Sequence, residues 1–316
     1  MYRKFFGISE NPFSNTPDPN FLYLTERHRE ALAHLNYGVE GRSGFVLLTG
    51  EVGTGKTTLC RCLIERLPDD VEVALCLNPR LDETELLAYI CDEMGIQLDG
   101  SRHSSKDLTD AINKHLLALY ADGRRAVLII DEAQNLTPQL LEQVRLLTNL
   151  ETNKSKLLQI ILIGQPELKD SLARNDLRQL SQRITARYHL DPLTIGETRT
   201  YIAHRLRVVG LTEDIFSDAA IDQVYRRSNG VPRLINSICE RAMLGAYAKN
   251  KKRINPALVR TAAAETLGDA SGSEDSRLLL RVLLLSLIVT IGALAMHLSA
   301  RTPDGSQSTP TSNSRK

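Results

Sequence analysis

One stretch limits the fold of this chain more than any other, the run FVLLTGEVGTGKTTLC that begins at Phe45. Residues 45–48 are apolar on both faces of an extended segment, so the strand belongs inside a sheet that is covered on both sides. It breaks into a glycine loop and then into a helical pattern that carries Leu59, Leu63 and Leu67 on one face. Residues 71–77, 126–130 and 157–163 form three more such runs, separated by helical periodicity, and a fifth strand is expected near 187–190. Strands alternating with helices predict an α/β fold with a parallel sheet.

Gly50, Gly55, Lys56 and Thr57 satisfy the spacing G-x-x-x-x-G-K-[ST] between a strand and a helix, the context in which that pattern carries chemistry. Glycines let the backbone amides of Glu51, Val52, Gly53 and Thr54 turn inward around phosphates. Lys56 reaches the β and γ oxygens, Thr57 offers its hydroxyl oxygen to Mg²⁺, and the helix start at Lys56, Thr57 and Thr58 adds a positive dipole end. A second motif, AVLIIDEAQNL, ends a buried strand on two carboxylates, and burying unpaired charge is costly enough to require a cation. Asp131 is the candidate for the Mg²⁺ shell. Glu132 is the candidate for polarising an attacking water, which suits hydrolysis better than transfer to a second substrate.

From Thr194 the pattern changes to successive helices. Thr194 and Glu197 stand in capping-box spacing, a second helix runs from Ser217 to Asn229-Gly230, and Pro232 suits the first turn of a third. Arg233 then places a cation against the positive end of a helix dipole, which a bound anion would reverse. Residues 268–277 are rich in Gly, Ser and acid and read as a linker. The 21-residue run 278–298 is apolar enough to cross a bilayer once: as a helix it would measure about 31 Å against a hydrocarbon core of roughly 30 Å. Arg277 and Arg281 favour a cytoplasmic location for the preceding domain, and residues 299–316 form a polar tail outside.

Composition adds little to this. A 42% hydrophobic, 24% charged chain of 316 residues has a core, and a net charge of +1 leaves any binding to nucleic acid or lipid to a local patch such as KNKKR at 249–253. The commoner role for such a run is the solvated end of a helix, where cations are favoured. The five cysteines lack metal-ligand spacing and indicate a reducing compartment, no secretory signal opens the chain, and the histidines, His28 among them, read as surface or capping residues.

The two motifs with a following helical domain resemble the AAA+ ATPases, P-loop NTPases with a helical lid. The opening MYRKFFGISENPFSNTPDPNFLYLTERHREALAHLNYGV, LIGQPEL after the fourth strand and GVPRLIN in the helical part narrow this to the general secretion pathway protein A (ExeA-like) group of membrane-associated ATPases, over roughly residues 1 to 265. The resemblance implies a nucleotide-flanking segment at 1–40, an ATPase core at 41–192 and a lid at 193–267. It implies ATP and Mg²⁺ as ligands, and a ring-like homo-oligomer at the bacterial inner membrane with secretion or envelope-assembly proteins as partners. It further implies that Asn78 restrains Glu132, that Gln165 senses the γ-phosphate, that Arg183 is an arginine finger completing a neighbour's site, and that Arg233 is a second sensor. Turn roles for Asn78 and Gln165 compete with these, and Arg174, Arg178 and Arg187 compete with Arg183. Asn11, Pro12, Phe13 and Tyr23 match a region that packs near adenine. Longer members of the group continue into a peptidoglycan-binding module, and cell-wall binding is not inferred for this chain. Against an envelope-anchored motor stand two other readings: a DNA-transposition regulator using the basic run, and a nucleotide-gated scaffold without turnover, against which Glu132 speaks.

Overall fold

The computed structural model describes residues 2–16, 18–40, 44–77, 79–98, 100, 103–152 and 155–268. The chain divides into two compact units, Met1–Ala263 and Ala264–Lys316. In chain order the described elements are α1 (Tyr2–Phe6), α2 (Glu26–Glu40), β1 (Phe45–Gly50), α3 (Lys56–Ile64), β2 (Val71–Cys76), α4 (Glu83–Glu93), α5 (Ser105–Ala121), β3 (Arg125–Ile130), α6 (Pro138–Leu147), β4 (Leu158–Gly164), α7 (Glu167–Leu172), α8 (Arg178–Gln182), β5 (Ile184–Leu190), α9 (Ile195–Val208), α10 (Asp218–Ser228), α11 (Pro232–Ala248) and α12 (Pro256–Leu267).

The five strands form one parallel sheet in the order β2-β3-β4-β1-β5. Alternation along β3 explains its two-sided burial. Leu128 and Ile130 face a core shared with α4, α5 and α6, whereas Val127 and Ile129 face another shared with α2 and α3. The fifth strand starts at Ile184, three residues before the expected start, because it lies at the sheet edge: Ile184 and Ala186 are buried while Thr185 and Arg187 are exposed, a period-2 pattern rather than a continuous apolar run. At the other edge β2 stops at Cys76, and Leu77, expected to belong to it, is exposed.

A third core joins α9, α10, α11 and α12 to the start of the chain. Tyr2, Phe6, Ile8, Phe13 and Phe21 are buried among residues such as Ile202, Val224, Ile235 and Cys239. The reciprocal capping box of Thr194 and Glu197 starts α9, and Asn229 ends α10 at φ 49°. The apolar run 278–298, with the flanking residues from 269 to 316, lies outside the described residues. Among the described residues no helix is long and apolar enough to cross a membrane.

Candidate nucleotide site

Crossovers place the C-terminal ends of β1, β3 and β4 side by side, and the loops that leave them converge on one cleft. The loop after β1 bends on Gly53 and Gly55, at φ 83° and 104°, a region open mainly to glycine. The next helix, α3, begins at Lys56 without a side-chain cap. Its first amides are therefore left for an anion. Lys56 is buried, and its Nζ donates to the carbonyls of Gly50 and Glu51 at 2.9 and 3.0 Å. Burial holds this ammonium below the ordinary lysine pKa, while Glu132, Asp131 and Glu51 oppose the shift and Arg233 adds to it.

The two motifs meet directly. Thr57 Oγ1 donates to Asp131 Oδ2 at 2.7 Å, and the other carboxylate oxygen accepts the Glu132 backbone N–H at 2.8 Å. An Mg²⁺ ion fits this donor set: it is oxygen only, it supplies one hydroxyl and one buried carboxylate, and Mg²⁺ takes its remaining ligands from water and phosphate. No group of three or more His, Cys, Asp or Glu among the described residues forms a closed metal cage. Glu132 lines the cleft, with Gln134 and Gln165 amides on its carboxylate.

The helical part closes the cleft from the other side. Pro232 opens α11, which also lacks a side-chain cap, and the Arg233 backbone N–H donates to the Gly53 carbonyl at 3.3 Å. Arg233, Lys56, Thr57, Thr58 and Glu132 thus line the same cavity of ≈ 300 Å³. Arg183 is elsewhere. It precedes Ile184, whose partner Phe45 begins β1, so it sits at the strand starts, the end of the sheet away from the phosphate loop. There it donates to Thr148 Oγ1 and Asn149 Oδ1 at 2.8 and 2.7 Å. Of its competitors, Arg174 is paired with Asp176 and Arg187 donates to Ser181. Asn78 lies outside the described residues.

Two residues of the cleft were not anticipated from sequence. His28, expected at the surface, is buried beside the phosphate loop: its Nδ1 and Thr25 Oγ1 are 2.6 Å apart, and Gly55 has room for a Cβ only to within 3.6 Å of its Nε2. Arg205 is buried as well, donating to the Pro12 and Ser14 carbonyls and to the Tyr201 hydroxyl while stacking 4.5 Å from the Phe21 ring centroid. It thereby fixes the segment whose residues Phe21, Leu22, Tyr23 and Leu24 line the same cavity. Phe13 packs on Phe216 instead. The basic run 249–253 is exposed and without an ion pair among the described residues, and Lys249 caps the end of α11.

Comparison with known proteins agrees with this geometry. The model of an AAA domain matches residues 39–172. General secretion pathway protein A of Aeromonas hydrophila is 54% identical over 268 residues, which are 85% of this chain and 49% of that protein, so the chain spans about half the length of this relative. ORC1-type DNA replication protein 1 of Halobacterium salinarum is 30% identical over 261 residues, 78% of this chain and 80% of that one. The crystal structure of Cdc6p from Pyrobaculum aerophilum shares the fold, with a TM-score of 0.67 at 20% identity over 82% of this chain and 72% of that one. With a parallel five-stranded sheet, both nucleotide motifs at its C-terminal edge and a helical domain over the cleft, the chain belongs to the AAA+ family of P-loop proteins, in the group of general secretion pathway protein A.

Proposed function

We propose that this chain hydrolyses ATP and uses the motion of its helical lid to drive or regulate assembly of a secretion or cell-envelope system at the bacterial inner membrane. The observation that carries the reading is the 2.7 Å contact between Thr57 and Asp131, which brings the two motifs to one point with Lys56, Glu132 and Arg233 around it. Thr57 and Asp131 would hold Mg²⁺, which when bound neutralises the developing charge on the phosphates. Lys56 would leave the Gly50 and Glu51 carbonyls for the β and γ oxygens. The amides from Glu51 to Thr58 would enclose the phosphate chain, Glu132 would take up the proton of the attacking water, and Gln165 and Arg233 would register the γ-phosphate from sheet and lid.

In this reading Arg183 acts on a neighbouring subunit of a ring, since it lies at the sheet end away from its own site. Asn78 restrains Glu132, and residues 278–298 anchor the ATPase domain on the cytoplasmic face. Support for the partner class comes from the secretion-pathway relative, and support for the anchor from the length and apolarity of the 278–298 run. ATP turnover should be lost in Lys56→Ala and in Glu132→Gln, with only the second still binding ATP; normal hydrolysis by either overturns the assigned roles. Cell fractionation with and without residues 278–298 tests the anchor. A second reading, a nucleic-acid regulator, is favoured by the exposed cations at 249–253 and by the replication-protein relative. It replaces the first if the full-length chain stays soluble and retards DNA.

A further inference from the structure

Glu132 enters the cleft from a backbone conformation that a residue with a Cβ rarely adopts, φ 53° and ψ 35°. Among the described residues no cation is paired with its carboxylate. Gln134 Nε2 donates to Glu132 Oε2 at 2.5 Å, and Gln165 Nε2 donates to the same oxygen at 3.3 Å. The Gln134 amide also accepts, taking the backbone N–H of Gln165 at 3.0 Å. These two partners remove the usual ambiguity of a glutamine side chain, because a backbone N–H pairs only with the amide oxygen and a carboxylate only with the amide nitrogen. The end of β4 is shaped around this amide: a Cβ on Gly164 would lie 2.9 Å from Gln134 Oε1 and 2.8 Å from Leu168 Cδ2. Both donors converge on Oε2, and Glu132 Oε1 accepts no hydrogen bond among the described residues.

We infer that Gln134 is the positioning residue of Glu132, its single amide tying the carboxylate to the backbone of the loop that carries Gln165 and leaving Oε1 to meet the attacking water. This rests on the hydrolytic reading of the site. The clip also gives that reading a route for regulation. Any phosphate that draws Gln165 toward itself moves the anchor of Gln134, and with it Glu132, without a contact between the phosphate and either carboxylate oxygen.

Gln134→Leu keeps most of the side-chain volume and removes both hydrogen bonds. In the full chain, kcat for ATP should fall at least about tenfold, part of the roughly 10² to 10⁴ that a positioned base contributes, while the Kd for ATP stays within about twofold. Gln134→Glu supplies a readout that a merely structural role would not move. Two ionised carboxylates in that contact repel, but a single shared proton restores a donor to Glu132 Oε2, so turnover should recover as the pH is lowered from about 8 to 6, unlike wild type. The other charged and titratable groups of the cleft, His28, Glu51, Lys56, Asp131, Arg205 and Arg233 among them, are the same in both proteins, so a difference between the profiles belongs to position 134. Wild-type kcat in Gln134→Leu refutes the assignment. So does a Gln134→Glu protein whose activity stays low across the range. Wild type and Glu132→Gln run alongside: a wild type without turnover, or a Glu132→Gln that hydrolyses normally, sinks the hydrolytic reading itself rather than the clip.

Discussion

Gly53 is where the phosphate loop and the lid touch, and substituting it separates two costs that are usually confounded. Its φ is +83°, and an added Cβ would lie 2.7 Å from Arg233 Cβ and 3.2 Å from Val231 Cγ1. These atoms belong to the rigid start of α11, with no flexible chain end to yield. Carbon–carbon contact is comfortable at about 3.5 to 4.0 Å, so the lid must retreat by roughly 1 Å. Gly53→Ala therefore carries a left-handed backbone cost of roughly 1 to 2 kcal/mol and an overpacking cost of roughly 1 to 3 kcal/mol. Gly95→Ala carries only the first, since its φ is +63° and nothing lies within 4 Å of its Cβ. At about 2 to 4 °C per kcal/mol, Gly53→Ala should melt roughly 2 to 12 °C below Gly95→Ala. The same retreat displaces Arg233, and a misplacement of about 1 Å is worth about 100-fold in rate, so ATP turnover should collapse in Gly53→Ala alone. Parallel thermal unfolding and turnover assays on the full chain decide it. Equal melting points and equal rates would refute the contact between loop and lid.

Burial lowers the His28 pKa, with the Thr54 backbone and Glu197 opposing. Protonation therefore favours the unfolded chain, and the stability His28 contributes is complete above about pH 6.5 and declines as the pH falls below it. His28→Gln should flatten the acid side of the melting curve against pH, and an unaltered slope would exclude that origin. Arg205→Met removes charged hydrogen bonds to the Pro12 and Ser14 carbonyls, a loss of roughly 3 kcal/mol, and should lower the Tm and speed proteolysis of the first 16 residues. Asp131→Asn should abolish the Mg²⁺-dependent part of the thermal stabilisation by ATP while leaving the Mg²⁺-free part, a difference read with and without a chelator. Mixing Lys56→Ala with Arg183→Ala subunits should restore part of the turnover that each lacks alone, and no restoration would remove Arg183 as a residue acting between subunits.

The sheet and the phosphate loop were legible because their causes are local. A strand buried on both faces must be apolar throughout, and a loop that turns its amides inward must have glycine at Gly53 and Gly55, where φ is positive. The edge strand was placed late because one of its faces is wet. Arg205 stayed invisible for a different reason. It stands four residues after Tyr201 on an amphipathic helix, where a cation reads as solvated, and its carbonyl partners lie 193 and 191 residues away in sequence. His28 is similar, since nothing near it in sequence announces that the glycine loop will fold over its ring. Gln134 is two residues from Glu132, yet its amide makes sense only with Gln165, 31 residues further on.

The helix starts carry the same argument into energetics. Side chains of Asp82, Ser104, Thr137, Thr194 and Ser217 cap α4, α5, α6, α9 and α10, whereas α3 and α11, like the short α7 and α8, begin without one. Either uncapped start alone is an ordinary cost of roughly 1 kcal/mol. Both α3 and α11 open onto one cleft, where Lys56 and Arg233 add their charges opposite the carboxylates of Asp131 and Glu132. A polyanion there satisfies both helix ends together, and it does so only while α11 rests on the phosphate loop through Arg233 and Gly53. Binding energy at the loop and the position of the lid are then one quantity, which is what a device that turns nucleotide occupancy into movement of its helical domain requires.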